Sequence, residues 1–175
     1  MEKGYIQVYT GNGKGKTTAA LGLAIRAAAS GMHVYIGQFI KGMHYSELDI
    51  LEKCRYLGDH IKLKQYGKDC FIYNKPTEED VRMALKGIED LKSAMKSGVY
   101  DVVIADEINI AVYFKLFSED TLLDLMRSKP DRVELIITGR KATEKIIEQA
   151  DLVTEMKEIK HYYTKGVQAR VGIEK

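Results

Sequence analysis

The sequence predicts an α/β protein: a single doubly wound, mostly parallel sheet with helices on both faces. Three observations point there. Strand-like and helix-like segments alternate along the chain. Two segments, Tyr100 to Ala105 (YDVVIA) and Val133 to Thr138 (VELIIT), are nearly continuous apolar runs, the pattern of strands buried on both faces of a parallel sheet. Near the start, a short strand, a glycine-rich loop and an alanine-rich helix follow one another. A length of 175 residues suits one domain spanning 1–175, long enough to bury a core.

The elements follow in order. Tyr5 to Tyr9 reads as a short strand. Lys16 to Ala29 is a helix rich in Ala and Leu that stops at Gly31, a residue suited to the left-handed turn that ends helices. His33 to Phe39 is a second strand, Glu47 to Lys53 a short helix, and Ile61 to Tyr66 an alternating third strand. Thr77 to Lys96 is the clearest helix. Pro76 and Thr77 open it, and Gly98 follows its end. Glu78, Glu79 and Asp80 put negative charge in its first turn, where the backbone dipole is positive. Val81, Leu85, Ile88, Leu91 and Met95 recur at steps of three and four and predict one buried stripe. After the YDVVIA strand come Asp106-Glu107, a helix from Ser118 to Arg127, the VELIIT strand, a helix from Thr143 to Gln149, and a last alternating strand from Leu152 to Lys160. Ligands of such folds sit beyond the carboxyl ends of the strands. Three loops fall there: Gly11 to Thr18, Asp106-Glu107-Ile108-Asn109, and Thr138-Gly139-Arg140.

Composition narrows the classes. The chain is 45% hydrophobic and 30% charged with a net charge of +2, so no strong field calls for nucleic acid, and no nucleic-acid partner is expected. Cys54 and Cys70 form no CxxC pair and no metal-ligand cluster with the histidines, and read as reduced, inert thiols. There is no apolar run near about 18 residues, and Met1 to Gly4 lead directly into a strand with no signal peptide. A cytoplasmic protein without a membrane contact is expected. With two prolines and no low-complexity tract, no linker or repeat is visible.

The glycine-rich loop carries the first chemistry. Gly15-Lys16-Thr17 fits the end of the pattern G-x-x-x-x-G-K-[ST], and counting back puts Thr10 where the first glycine belongs. Gly11, Gly13 and Gly15 supply the freedom that lets backbone N–H groups turn inward around an anion. Gly11, Asn12, Gly13, Lys14, Gly15, Lys16, Thr17 and Thr18 are thus the expected phosphate cradle. The start of the helix adds its positive end, Lys16 reaches phosphate oxygens, Lys14 adds a second cation, and Thr17 is an expected Mg²⁺ ligand. Asp106-Glu107 ends a hydrophobic strand, where a metal-holding acid belongs; either carboxylate holds the ion directly or through water. The fold is therefore P-loop NTPase-like, and to this point the residues say Mg-nucleotide binder and no more.

Four further segments narrow the reading: Gln38-Phe39-Ile40-Lys41-Gly42, Asp106-Glu107-Ile108-Asn109, Thr138-Gly139-Arg140, and the tail with Lys160-His161, Gly166-Val167, Ala169 and Gly172-Ile173. With GNGKGKTTAALG, this ordered set resembles the P-loop type of ATP:corrinoid adenosyltransferase from Tyr9 almost to the end. The resemblance implies transfer of the 5′-deoxyadenosyl group of ATP to the cobalt of a reduced corrinoid, with triphosphate leaving in one piece, in adenosylcobalamin synthesis or salvage. It implies a nucleotide reversed in its loop relative to ordinary P-loop ATPases, Mg²⁺ alongside ATP, a homodimer, and a flavoprotein as a possible reductant. The alternative is a P-loop ATPase or small-molecule kinase, which would yield ADP; a carrier that binds without turnover is a third reading.

The resemblance also implies residue roles. Lys16, Phe71 and Tyr73 are the expected catalytic residues. Phe71, in Cys70-Phe71-Ile72-Tyr73, falls on the family's phenylalanine, thought to pack under the corrin and displace its lower axial ligand. Tyr73 stands where some members have tryptophan, a residue this chain lacks. Gln38 and Lys41 follow a strand and face the ligand or solvent, Glu47 matches a family glutamate, and Arg140 contacts phosphate or braces the fold. His161 either touches substrate or packs. Nothing in the spacing of His33, His44 or His60 makes them cobalt ligands. Some family members carry an N-terminal extension over the active site. About four residues precede the first strand here, so the site is more open or another segment, with Met43 to Glu52 the candidate, closes it.

Overall fold

Six strands form one sheet in the computed structural model, which describes residues 2–68 and 75–174. In chain order the elements are β1 (Ile6–Thr10), α1 (Lys16–Ala29), β2 (Val34–Phe39), α2 (Ser46–Lys53), α3 (Arg55–His60), β3 (Ile61–Tyr66), α4 (Glu78–Lys96), β4 (Val102–Asp106), α5 (Ile108–Tyr113), α6 (Glu119–Arg127), β5 (Glu134–Thr138), α7 (Glu144–Gln149), β6 (Leu152–Glu155) and a 3₁₀ turn (Tyr162–Lys165). The sheet order is β3-β2-β4-β5-β1-β6, and every pairing is parallel. This is the expected α/β architecture, with helices on both sides.

The apolar strands behave as their composition requires. All five residues of β4 are buried, and alternate side chains enter opposite layers. Val103 and Ala105 join Val8, Leu135 and Ile137 in one core; Val102 and Ile104 join Ile36 and Ile136 in the other. The order also sets the site. β5 lies between β1, which feeds the glycine loop, and β4, which ends in Asp106. Whatever ends β5 therefore stands between loop and acid.

The helix α4 opens with a reciprocal cap. The Thr77 hydroxyl accepts the Asp80 N–H at 3.3 Å, and the Asp80 carboxylate accepts the Thr77 N–H at 2.8 Å. Its buried side is Ala84, Gly87, Ile88, Leu91, Ala94 and Met95. The expected stripe needs correction at Leu85, which is 43% exposed. The helix lies on the row through Ala84, Gly87 and Leu91, where Ala84 and Gly87 allow close approach. A Cβ at Gly87 would stand 2.8 Å from the Phe39 ring and 2.9 Å from that of Tyr66.

Three other expectations change. The last strand stops at Glu155, because the chain then turns and sets the Met156 backbone against the glycine loop. Arg55–His60 forms a helix that no cap or stripe announced. Asp106 to Asn109 is not a loop: Glu107 adopts a left-handed conformation (φ 59°), and α5 starts at once, burying Ile108, Asn109 and Ala111. Cys54 is a free thiol, and Cys70 lies outside the described residues.

Candidate functional site

The glycine loop explains its own departure from the usual pattern. Gly13 donates its N–H to the Met156 carbonyl at 2.6 Å, and a Cβ at Gly11 or Gly13 would stand 2.5 or 2.7 Å from that oxygen. Gly11 (φ 93°) and Gly15 (φ 119°) also occupy conformations that side chains avoid. Thr10 remains extended, as the last residue of β1. Its backbone carbonyl accepts the Met156 N–H at 2.8 Å, and its hydroxyl accepts the Ala142 N–H at 3.4 Å. The close approach thus falls one residue later than the pattern places it, and a glycine at 10 is unnecessary.

Lys16 opens α1 and is 5% exposed. Its ammonium donates to the carbonyls of Gly11 at 2.9 Å and Gly13 at 2.7 Å, so it lies inside the turn of the loop. Burial lowers its pKa; Glu107 opposes that shift, Arg140 adds to it and Asp106 opposes it. At the next residue, the Thr17 hydroxyl donates to Asp106 Oδ1 at 2.9 Å, joining loop and acid.

Asp106 is buried and receives three more donors: the Thr138 hydroxyl on Oδ1 at 2.7 Å, and on Oδ2 the Lys41 ammonium at 2.8 Å and the Gln38 amide at 3.4 Å. Thr138 ends β5, and the register explains its place. Ala105 pairs with Ile137, so the next step along both strands brings the acid and the hydroxyl together. Thr138 also accepts the Glu107 N–H at 2.9 Å. Burial, then Asp106, push the Glu107 carboxyl above its usual range, while Lys41, Lys16 and Arg140 pull the other way. Burial alone would lower the Lys41 pKa; Asp106, with Glu47 and Glu107, outweighs it and raises it.

Lys16, Thr17, Lys41 and Glu107 face a cavity of about 540 Å³ at the carboxyl edge of the sheet, while Asp106 and Thr138 are buried and do not line it. Gly13, Lys14, Gly15, Lys16, Thr17 and Thr18 line it, with Lys41, Glu47, Glu107 and Arg140 across from them. Of the expected phosphate cradle, Gly11 and Asn12 do not line it; Gly11 serves through its carbonyl. Gln38 lies beneath, fully buried, where its amide donates to Glu47 at 2.9 Å and its oxygen accepts from Gln65 at 3.2 Å. Other lining residues come from two segments singled out in the sequence, Met43 to Glu52 and the tail, without a role having been given to each residue. Tyr45 places its ring 5.0 Å from the Lys41 ammonium, and Gly172, Ile173 and Glu174 close one side, with the Ile173 carbonyl accepting from Lys14 at 2.8 Å. His161 also lines the cavity. Thr138 stands out in the sequence only as part of the Thr138-Gly139-Arg140 loop, and its contact with Asp106 follows from the strand register; the tail is marked by the family resemblance, and Glu174 by nothing in the sequence. Phe71 and Tyr73 lie outside the described residues.

The sequence profile described as ATP:corrinoid adenosyltransferase BtuR/CobO/CobP matches residues 2–174. The chain belongs to the ATP:corrinoid adenosyltransferase family. Among curated relatives it is similar to a corrinoid adenosyltransferase of Sinorhizobium sp., 39% identical over 175 residues, covering 99% of this chain and 81% of that protein. It is similar to the corrinoid adenosyltransferase of Escherichia coli (strain K12) at 34% identity, covering 99% of this chain and 86% of that one. It is likewise similar to corrinoid adenosyltransferase CobA of Salmonella typhimurium (strain LT2) at 33% identity, with the same coverage of 99% and 86%.

In this member of the family the other histidines sit apart from the cavity. His33 and His60 stack on each other (ring centroids 5.1 Å) at the amino ends of β2 and β3, and His44 pairs with Asp49 at 2.7 Å. Among the described residues, no group of three or more His, Cys, Asp and Glu is placed to hold a metal. The donors beside the cavity are of another kind. A hydroxyl and a carboxylate 2.9 Å apart, with Glu107 lining the neighbouring cavity, form an oxygen set whose chemistry suits a small hard cation such as Mg²⁺, although the Lys41 ammonium now occupies Asp106 Oδ2. No helix among the described residues is long and apolar enough to cross a membrane.

Proposed function

We propose that this chain joins the 5′-deoxyadenosyl group of ATP to the cobalt of a reduced corrinoid and releases triphosphate, with the glycine loop holding the leaving group. The carbon–cobalt bond forms as the bond from C5′ to the triphosphate oxygen breaks. The electron pair comes from Co(I) and leaves on the triphosphate. Co(I) is itself a strong nucleophile, so no side-chain base is required. What remains for the protein is alignment, worth about 7–11 kcal/mol in ideal intramolecular cases, and neutralisation of charge on the departing phosphates.

The observation that carries the proposal is the hydrogen bond from Thr17, which lines the cavity with the loop of Lys16, to the buried acid Asp106 behind it. Lys14, Lys16, Arg140 and the loop N–H groups are the proposed triphosphate ligands. Thr17, Asp106 and Glu107 are the proposed holders of Mg²⁺, which when bound neutralises phosphate charge. Gln38 and Glu47 are proposed to orient Asp106 and the cavity wall. Phe71 and Tyr73 are the proposed aromatic contacts of the corrin; the resemblance supports these two, as it supports a homodimer, a cytoplasmic setting and a flavoprotein that makes Co(I).

The test is anaerobic incubation of the protein with Mg-ATP and chemically reduced cob(I)alamin in dim light. The expected products are light-sensitive adenosylcobalamin and triphosphate in equal amounts. ADP with an unchanged corrinoid spectrum would move the chain to the ATPase or kinase class.

A further inference from the structure

Asp106 is held by four donors, and only one of them is free to leave. The Thr138 hydroxyl is fixed from behind by the Glu107 N–H at 2.9 Å. The Gln38 amide is fixed by Glu47 at 2.9 Å, and its oxygen is engaged by Gln65 at 3.2 Å. Thr17 is part of the first turn of α1. Lys41 differs. It sits in the segment after β2, and its ammonium ends a flexible four-carbon chain. That ammonium lies 2.8 Å from Asp106 Oδ2 and 3.4 Å from the Thr17 hydroxyl, over the Tyr45 ring at 5.0 Å.

The ammonium therefore spans the two groups proposed to hold the metal. A divalent cation that takes the Thr17 and Asp106 oxygens needs lone pairs that face the ammonium, and would lie against a like charge. The two occupancies exclude each other. Lys14, Lys16 and Arg140 line the same cavity, so a triphosphate there offers Lys41 a second set of anionic oxygens within the swing of its side chain.

We infer that Lys41 is an exchangeable counter-ion of Asp106, which bars a free divalent cation from Thr17 and Asp106 and yields the place when a triphosphate draws its ammonium away. This rests on the cavity being a metal–triphosphate site, and adds an order to its filling. Metal and triphosphate each bind more tightly in the presence of the other, by a coupling that is reciprocal and depends on the Lys41 charge.

The probe is Mn²⁺ alone, titrated into the full chain without nucleotide and followed by electron paramagnetic resonance. Lys41→Met is expected to bind Mn²⁺ about tenfold tighter than wild type. Lys41→Arg, which keeps the charge, is expected to bind as weakly as wild type. A merely structural lysine would not produce that split. In EDTA the methionine variant should melt below wild type, because Asp106 loses its cation, and Mn²⁺ should raise its Tm more than that of wild type. Lys41→Gln keeps a donor for Asp106 and serves the same comparison if the methionine variant does not fold. Equal Mn²⁺ affinity in wild type, Lys41→Gln and Lys41→Arg, or no measurable binding in any of them, would overturn the inference. Adenosylcobalamin formation by wild type would then still stand, and its absence beside a tenfold split would remove the reaction while keeping the role of Lys41.

Discussion

On one face of the sheet α4 and α6 close the core with Leu91, Met95, Leu122, Leu125 and Met126, all nearly inaccessible to solvent. On the other, α1 presents Ala20, Ala24, Ala27 and Ala28, and α2 and α3 bury no residue at all. A cavity of about 70 Å³ remains there between Leu21, Ile25, Ile36, Ile50 and Leu57. Large side chains supply most of the burial free energy, and voids forfeit contacts. The first face is therefore where stability is concentrated. The second carries Lys16 and Thr17 at the start of α1 and Glu47 in α2, so it is where ligand contacts are concentrated. The division predicts that substitutions on the two faces separate activity from stability, and the following changes put that to the test in descending order of effect.

Lys16→Ala should cost about 10³-fold in transfer rate, or about 4 kcal/mol of transition-state stabilisation, because one cation at the leaving group is lost. Among the described residues its hydrogen-bond partners are the carbonyls of Gly11 and Gly13, so stability to urea should change by no more than about 1 kcal/mol. A large drop in both quantities would break the division. Leu91→Ala is the converse. Leu91 is fully buried between α4 and the sheet, so truncation should cost about 3–4 kcal/mol by urea unfolding. The protein that remains folded should turn over at close to the wild-type rate.

Gly87→Ala sharpens the picture of the first face. The added methyl meets the Phe39 and Tyr66 rings at 2.8 and 2.9 Å, which costs about 1–3 kcal/mol as overpacking, against a gain of about 1 kcal/mol in helix propensity. A net loss of up to about 2 kcal/mol is expected in thermal or urea unfolding. The same face holds a buried polar chain. Tyr35 and Tyr66 hydroxyls meet at 2.5 Å, and Tyr66 donates to Asp90 at 2.8 Å. Burial alone would raise the Asp90 pKa, but hydrogen bonds from Lys86, Tyr66 and Lys64 outweigh it and hold the carboxyl below its usual value of 3.8. A depressed folded pKa gives stability that is present above the unfolded value and lost as pH falls through the folded one. Asp90→Asn should therefore cost about 1 kcal/mol at neutral pH and flatten the decline in stability below about pH 4. An unchanged acid limb would show that the chain of hydrogen bonds does not depend on the charge.

The sequence was most legible where one local rule decided the outcome. The apolar runs of β4 and β5, the cap and acidic first turn of α4, and the strand–loop–helix around Lys16 each carry their signal within a few residues. What escaped depends on distant partners. Leu85 fits the spacing of the buried row, but α4 was turned by the close approach at Gly87, a fact about Phe39 and Tyr66. The missing glycine at Thr10 is explained by Met156, far along the chain. The four donors on Asp106 come from α1, β2, the segment after it and β5, and only the strand order brings them together.

The smallest effect is the sharpest discriminator between the faces, because only its sign matters. Gly22 lies in α1 on the exposed side, and a Cβ built there meets nothing within 4 Å. Alanine is favoured over glycine in a helix interior by about 0.5–1 kcal/mol, mainly because the unfolded chain has fewer conformations to lose. Gly22→Ala should therefore stabilise by that amount, where the chemically identical change at Gly87 destabilises. Urea midpoints measured side by side at equal protein concentration would read both signs. A loss at Gly22 would mean that something packs on α1 in solution, and the thinly closed face would then owe its stability to a contact outside the chain.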